Sequence, residues 1–352
     1  MTRHPGIVPE DYRHSGASLG PLIRTAVAIG LGAFDKTARP AEHARRRGWA
    51  EDRSLDLLLR APTTPTALSN TLGLGRISVA LLDALVPLSA GAAVLRAGLA
   101  LEFAGAASIS APAIALPTNA IGFVGEGQPI PALQGTSSGP VLSPHKLAAI
   151  VGLSGELLRG SNAEAATRQV LIESVGAGLD RVLFDANAGD ATRPPGLLYN
   201  LPPLTPAAAG PSKGEVIVDD LQTLGAAIAP VAGNNNVAIV ASIDAAIAVR
   251  MRLLSLEWPV FSSASLPPKT VIMIALAALV SAVEGLPQVD ASAHASVNFE
   301  TVPQPLVDVG GVVARPIASV YQTDLVALRL RWPISWALRD PRAIAWMNSV
   351  NW

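Results

Sequence analysis

The 352-residue chain reads as an α+β protein: a protruding two-stranded arm feeds one long helix, C-terminal strands back that helix, and an α/β lobe lies between them in sequence. Three observations carry this reading. Between Ile121 and Gly196, turn, strand and helix-start signals follow one another in a fixed order. From Val218 to Ala275 helical and strand periods alternate, as in a compact α/β unit. From Leu328 to Leu338 every second residue is apolar, the period of a half-buried strand.

Taken in order, the residues before Ala61 hold the basic cluster Arg45–Arg47, the acidic pair Glu51 and Asp52, and a predicted helix over Asp52–Arg60. Pro62 and Pro65 end that helix, and the segment is either an extended arm or a removable piece. Ile77 to Leu101 reads as two short helices about a turn at Pro87. The arm follows. Phe123, Gly125, Glu126, Gly127, Pro129 and Pro131 form its Gly/Pro-rich outward limb, Gly135–Pro140 its small-residue tip, and Leu147–Leu153 its apolar return. Prolines cannot donate ladder hydrogen bonds, so this limb belongs on an exposed edge or bend.

The helix predicted next starts at Ser161, where Ser161 and Glu164 fit a reciprocal capping box. Leu171, Val175, Leu179 and Val182 recur on one face, and the pattern stops at Asn187–Gly189, giving about seven turns. A Pro194–Leu198 exit follows. In the lobe, Val218, Leu221, Leu224 and Ile228 make an amphipathic helix, Val237–Ala241 a buried strand, Ser242–Arg252 a helix and Thr270–Ala275 a further strand. At the C-terminal end, Leu328, Leu330, Trp332, Ile334, Trp336 and Leu338 share one strand face. Asp340-Pro341-Arg342 turns the chain so that Ala343–Met347 pairs back.

Composition narrows the function. Half of the residues are hydrophobic and only 15% charged, against roughly a quarter charged in an average soluble domain. Such a polar deficit fits a membrane or extensive burial against other chains. The most apolar run, Val271–Val283, is shorter than the ~20 residues of a spanning helix, so no membrane association is expected. With no cysteine, disulfides and thiolate metal sites are excluded. A net charge of −1 argues against a general grip on nucleic acid.

No catalytic constellation emerges, and neither a cofactor nor a metal is expected. Gly152-Leu-Ser-Gly155 lacks the closing glycine of a nucleophile elbow, since Glu156 follows, so Ser154 reads as a helix cap with His145 a packing or surface residue. The five histidines are scattered, and Gly73–Ser78 lacks the third glycine of a dinucleotide fingerprint. Asp180, Asp185 and Asp190 fall on different sides of a helix and read as solvated charges.

The segments Phe123–Pro131, Pro144–Leu147, Leu153–Leu158 and Pro195–Leu197, with Ser319–Arg329 and Arg339–Ile344, resemble in their joint order the major capsid proteins of tailed bacteriophages, which have the HK97 fold. The resemblance covers Ala67 to the end. It implies an N-terminal arm or scaffold-like segment (1–66), an N-terminal part of the capsid domain (67–112) and an extended loop overlapping a neighbour (113–151). A peripheral domain with its spine helix (152–200), an axial domain (201–293) and the peripheral C-terminal strands (294–352) complete it. It further implies a structural protein rather than an enzyme. Copies would join as pentamers and hexamers in an icosahedral shell around double-stranded DNA, held without sequence specificity. Portal, maturation protease, scaffold and decoration proteins are the implied partners, and the virion, with the bacterial cytoplasm during assembly, the implied location. An encapsulin-like compartment shell and a serine hydrolase around Ser154 are the alternatives. Some relatives crosslink neighbours through a lysine on the extended loop. Here the only nearby lysine is Lys146, on the returning strand, so no such covalent network is expected.

Overall fold

The computed structural model describes residues 20–35, 38–60, 82, 85–103, 105–113, 123–126, 139–233, 236–284, 287–298 and 318–352. In chain order the strands are β1 (Leu99–Glu102), β2 (Ile109–Ser110), β3 (Val141–Leu142), β4 (His145–Ser154), β5 (Val237–Ser242), β6 (Val260–Ser263), β7 (Val271–Ala275), β8 (Leu279–Val283), β9 (Gln288–Ser292), β10 (Ser296–Val297), β11 (Ala318–Ser319), β12 (Leu325–Leu338) and β13 (Ile344–Met347).

Two larger sheets hold nine of them, and β2 with β3 and β10 with β11 form two-stranded pairs. In the first larger sheet, β12 is the centre of the order β1-β8-β12-β4. Its whole first part pairs antiparallel with β4, from Leu325 opposite Ser154 to Ile334 opposite His145. Its other edge is shared by β9, opposite Ala327–Arg331, and β8, opposite Ile334–Leu338. The expected alternation holds: Leu328, Leu330, Trp332, Ile334 and Trp336 are buried, while Arg329 is exposed. The second sheet has the order β13-β7-β5-β6. All residues of β5 and β7 are buried, which is why those runs are apolar without alternation.

The C-terminal strand departs from the expected pairing back. Asp340, Pro341 and Arg342 carry the chain out of the first sheet, and β13 pairs with β7 of the second. Both edges of β12 are already occupied, whereas β7 offers a free one.

The long helix spans Ala163–Leu183, 21 residues, about six turns rather than seven. Its N-cap is Asn162, without a side-chain capping bond, so the predicted box between Ser161 and Glu164 does not form. Glu164 is drawn away instead: one carboxylate oxygen lies 3.2 Å from Nε of Arg24, and the other 3.8 Å from Nη2 of Arg168. Leu171, Val175 and Leu179 enter one core with Leu328, Trp332 and Trp336 of β12.

The N-terminal part supplies an element that the sequence reading lacked. A helix over Gly20–Phe34 buries Leu22, Ile23, Ala26, Val27 and Leu31 in that same core, against the long helix, β9 and β12. Short helices Pro40–Arg46 and Arg53–Arg60 follow, the latter opened by Asp52, whose carboxylate accepts the Leu55 N–H. Arg24 joins the parts, bonding Asp52 at 3.1 Å as well as Glu164. Of the basic cluster, Arg46 pairs with Glu42, and Arg47 donates to the carbonyls of Leu158, Arg159 and Gly160. Arg47 thereby satisfies the open C-terminal end of the short helix Gly155–Arg159. The expected helix before Pro87 is described only at Leu82 and Leu85; after it comes a helix over Ala90–Ala97.

Candidate assembly surfaces

Ser154 and His145 stand at opposite ends of β4, nine strand positions or about 30 Å apart. Ser154 accepts the Leu157 N–H at 3.2 Å as the cap of Gly155–Arg159, and His145 meets Ser335. They form no nucleophile–base pair. Among the described residues no cluster of His, Cys, Asp or Glu suits a metal, and no helix is long and apolar enough to cross a membrane. Gly73–Ser78 lies outside the described residues.

The arm is built from its base outward. β2 and β3 pair antiparallel, Ile109 opposite Leu142 and Ser110 opposite Val141, and the Ala111 N–H donates to the Pro140 carbonyl. The two limbs approach so closely here that a Cβ on Gly139 would fall 1.8 Å from the Ala111 oxygen, so only glycine fits. Phe103, Ala111 and Leu142 pack on Val280 and Ala282 of β8. Arg339, just past β12, donates to the carbonyls of Pro112, Ala113 and Ala277, riveting the outgoing limb to the body. Of the six limb residues named from sequence, Phe123, Gly125 and Glu126 are described, with the Phe123 ring fully in solvent and Val124 exposed beside it. Gly127, Pro129 and Pro131 lie outside the described residues. The run Leu147–Leu153 belongs to β4, and Lys146 sits opposite Pro333 of β12, so that lysine is part of the body sheet.

On the long helix, Glu164 holds Arg24, Leu171, Val175 and Leu179 face inward, Val182 is half-buried, and Ser161 precedes the first turn. Asp180 corrects the expectation of solvated charges. It is 3% exposed and accepts hydrogen bonds from the Ser89 hydroxyl (2.5 Å), the Ala90 N–H (3.2 Å), the Gly91 N–H (2.8 Å) and the Ser263 hydroxyl (2.7 Å). It thus ties the long helix to the N-terminus of Ala90–Ala97, where a negative charge is favoured, and to β6 of the second sheet. Asp185 is taken by Arg193 at 2.7 Å, while Asp190 remains exposed and closes a turn onto Thr192 and Arg193. At the exit, a Cβ on Gly196 would collide with Asp185, and the Pro195 carbonyl accepts the Trp336 indole N–H at 2.9 Å.

No family model matches the chain, and no curated protein matches it. Solved structures do. A chain of the satellite phage P4 procapsid, a structure that includes the size determination (Sid) protein, aligns at 8% identity over 78% of this chain and 100% of its own, with a TM-score of 0.50. This protein has the HK97-like capsid fold. A chain from Mycobacterium phage Cain aligns at 14% identity over 72% of this chain and 89% of its own, TM-score 0.48. A virus-like particle from Pyrococcus furiosus aligns at 12% identity over 77% and 96%, TM-score 0.44. In this HK97-like fold the long helix and the helix Gly20–Phe34 pack side by side into the core shared with β12.

Proposed function

We propose that the chain is a major capsid protein. Its copies assemble into a closed icosahedral shell around double-stranded DNA, and it works as a structural subunit without catalysis. The observation that carries this reading is the fold held in common with the P4 procapsid chain over that chain's whole length. Three features support it. The composition is poor in charge, which suits a subunit buried by its neighbours. The arm over 113–151 is anchored at its base by Arg339 and holds Phe123 out in solvent, where it would overlap the next subunit. The lobe over 201–293 carries three strands of the second sheet, β5, β6 and β7, with β13 added from the C-terminal end, and it would meet its copies around the symmetry axes. Electron microscopy of the purified protein tests the reading. Closed shells with nuclease-protected DNA are expected in infected or induced cells; a protein that stays monomeric at assembly concentrations overturns it. Shells holding protein cargo would overturn the DNA-enclosing part alone.

The single lysine of the 113–151 segment, Lys146, lies at its base and is paired opposite Pro333 in the body sheet, so particles should dissolve to monomers on denaturing gels, and a covalent ladder would contradict overlap without crosslinking. The N-terminal helix also limits any processing. Removing residues up to Ala61 would strip Ile23, Ala26 and Val27 from the core, so mature particles should retain at least Gly20 onward by mass spectrometry.

A further inference from the structure

The helix Ile243–Arg252 is built inside out. Its sheet side carries small residues, Ala245, Ala246 and Val249, buried to 3% or less. Its large apolar residues face water: Ile243, Ile247 and Met251 are 51%, 50% and 72% exposed, and Leu254 just beyond the end is 82% exposed. Spacings of four put Ile243, Ile247 and Met251 on one face of the helix, and Leu254 follows in the turn after it. A surface helix that packs only within its own chain shows the reverse arrangement, so this ridge is made for something outside the subunit.

The same outward side of the second sheet carries a matching hollow. Between the helix Lys213–Ile228 and the segment Leu253–Trp258 lies a cleft of about 630 Å³, floored by Met273 and walled by Leu221, Ile228, Leu256 and Trp258. Val218 stands exposed at its mouth, with Glu215 and Asp219 exposed beside it on the same helix. The ridge is flanked by the opposite charge, since Arg250 and Arg252 are exposed alongside Met251. The ridge is apolar with a basic C-terminal end, Asp244 lying at its other end, and the hollow is apolar with Glu215 and Asp219 at its mouth and Lys213 at the start of the same helix.

We propose that the ridge of one copy seats on the cleft-bearing face of the next copy of this chain, with Arg252 set against Glu215 and Asp219. The occupant is a second copy because both complementary halves are present on each molecule. The two patches differ, so the contact is head to tail; repeated about an axis it makes a ring where the rotation between copies closes and an open filament where it does not. This deepens the shell reading and rests on it for the ring to be part of a particle, although the contact itself can be measured without shells.

The absence of cysteine permits a clean test. Met251→Cys and Val218→Cys are made as separate single variants; both positions are exposed, so the fold should tolerate them. After mixing, assembly and mild oxidation, disulfide-linked dimers are expected from the mixture and not from either variant alone, since a disulfide requires the two Cβ atoms to approach closely. Particles by electron microscopy without mixed dimers overturn the ridge contact and leave the shell reading standing. Dimers from Met251→Cys alone mean ridge against ridge and overturn the head-to-tail mode. Mixed dimers without particles uphold the contact and count against the shell reading, and neither product overturns both. As a second arm, Arg252→Glu should lower assembly yield about tenfold, a factor worth about 1.4 kcal/mol, and adding Asp219→Arg should restore it. Loss without rescue, or no loss, would remove the charge pairing from the proposal.

Discussion

The long helix Ala163–Leu183 and the outer helix Ile243–Arg252 bury opposite kinds of residue. The first turns Leu171, Val175 and Leu179 into the core and leaves its charged side chains other than Asp180 toward the outside; the second turns alanines inward and leaves Ile247 and Met251 in water. Each carries one aspartate that repeats the contrast. Asp180 is sealed among donors from two other elements, whereas Asp244 lies exposed in the first turn of its own helix. The lesson is that a helix's sidedness identifies its partner: inward bulk marks a helix completed by its own chain, and outward bulk marks one completed by another.

The largest effect expected on subunit stability comes from breaking the inward side at Asp180. Asp180→Ala removes a carboxylate that accepts four hydrogen bonds and strands the buried hydroxyls of Ser89 and Ser263. Bonds to a charged group contribute about 1.5–3 kcal/mol each, and orphaned donors add their desolvation cost, so a loss of at least about 4 kcal/mol is expected. The guanidinium unfolding midpoint of unassembled subunits measures it; a change below about 1 kcal/mol would mean that Asp180 does not hold the long helix to the Ala90–Ala97 helix and β6. Leu179→Ala should cost somewhat less, about 3 kcal/mol, as cavity and transfer terms for a fully buried leucine. On the outer helix the sign of the comparison changes. Ile247→Ala should leave subunit stability within about 0.5 kcal/mol while reducing assembly. Equal destabilisation by Leu179→Ala and Ile247→Ala would erase the distinction between the two helices.

What could be read from sequence was local. The stripe Leu171, Val175, Leu179 and the alternation from Leu328 to Trp336 are short-range patterns, and both elements formed where those patterns lie. Asp180 was misread because its donors are set by the fold: Ser89 lies 91 residues upstream and Ser263 lies 83 downstream. The pairing of β13 depended on which strand edge remained free, which is settled only once both sheets exist. The N-terminal helix Gly20–Phe34 is apolar on most sides and carries Gly30 and Gly32, so neither an amphipathic stripe nor helix propensity announced it. Gly30 serves close packing there, since a Cβ would stand 3.1 Å from Leu158. Of the candidate surfaces, the arm is described mainly at its base, where β2 and β3 pair beside Gly139 and Pro140. The ridge was not legible, because period alone does not tell which face of a short helix meets the sheet.

The smallest effect separates the two aspartates by pH. Asp244 accepts the Lys269 N–H at 3.1 Å, and its carboxyl is held below the ordinary carboxylate value of 3.8, chiefly by the Ser242 hydroxyl, with burial opposing the shift and backbone N–H groups, that of Lys269 among them, adding to it. A carboxylate with a depressed folded-state pKa stabilises the fold fully above the unfolded value. That contribution is lost as the pH falls through the lower, folded value. The group is exposed and screened, so Asp244→Asn should cost only a few tenths of a kcal/mol at neutral pH. The deficit relative to the parent should shrink as the pH drops below 3.8. Unfolding midpoints of the two proteins at neutral pH and below that value give the comparison. A deficit that grows in acid would reverse the sign and show that the charge on Asp244 opposes the fold. A deficit as large as that of Asp180→Ala would show that the outer helix, too, is held chiefly from within its own chain.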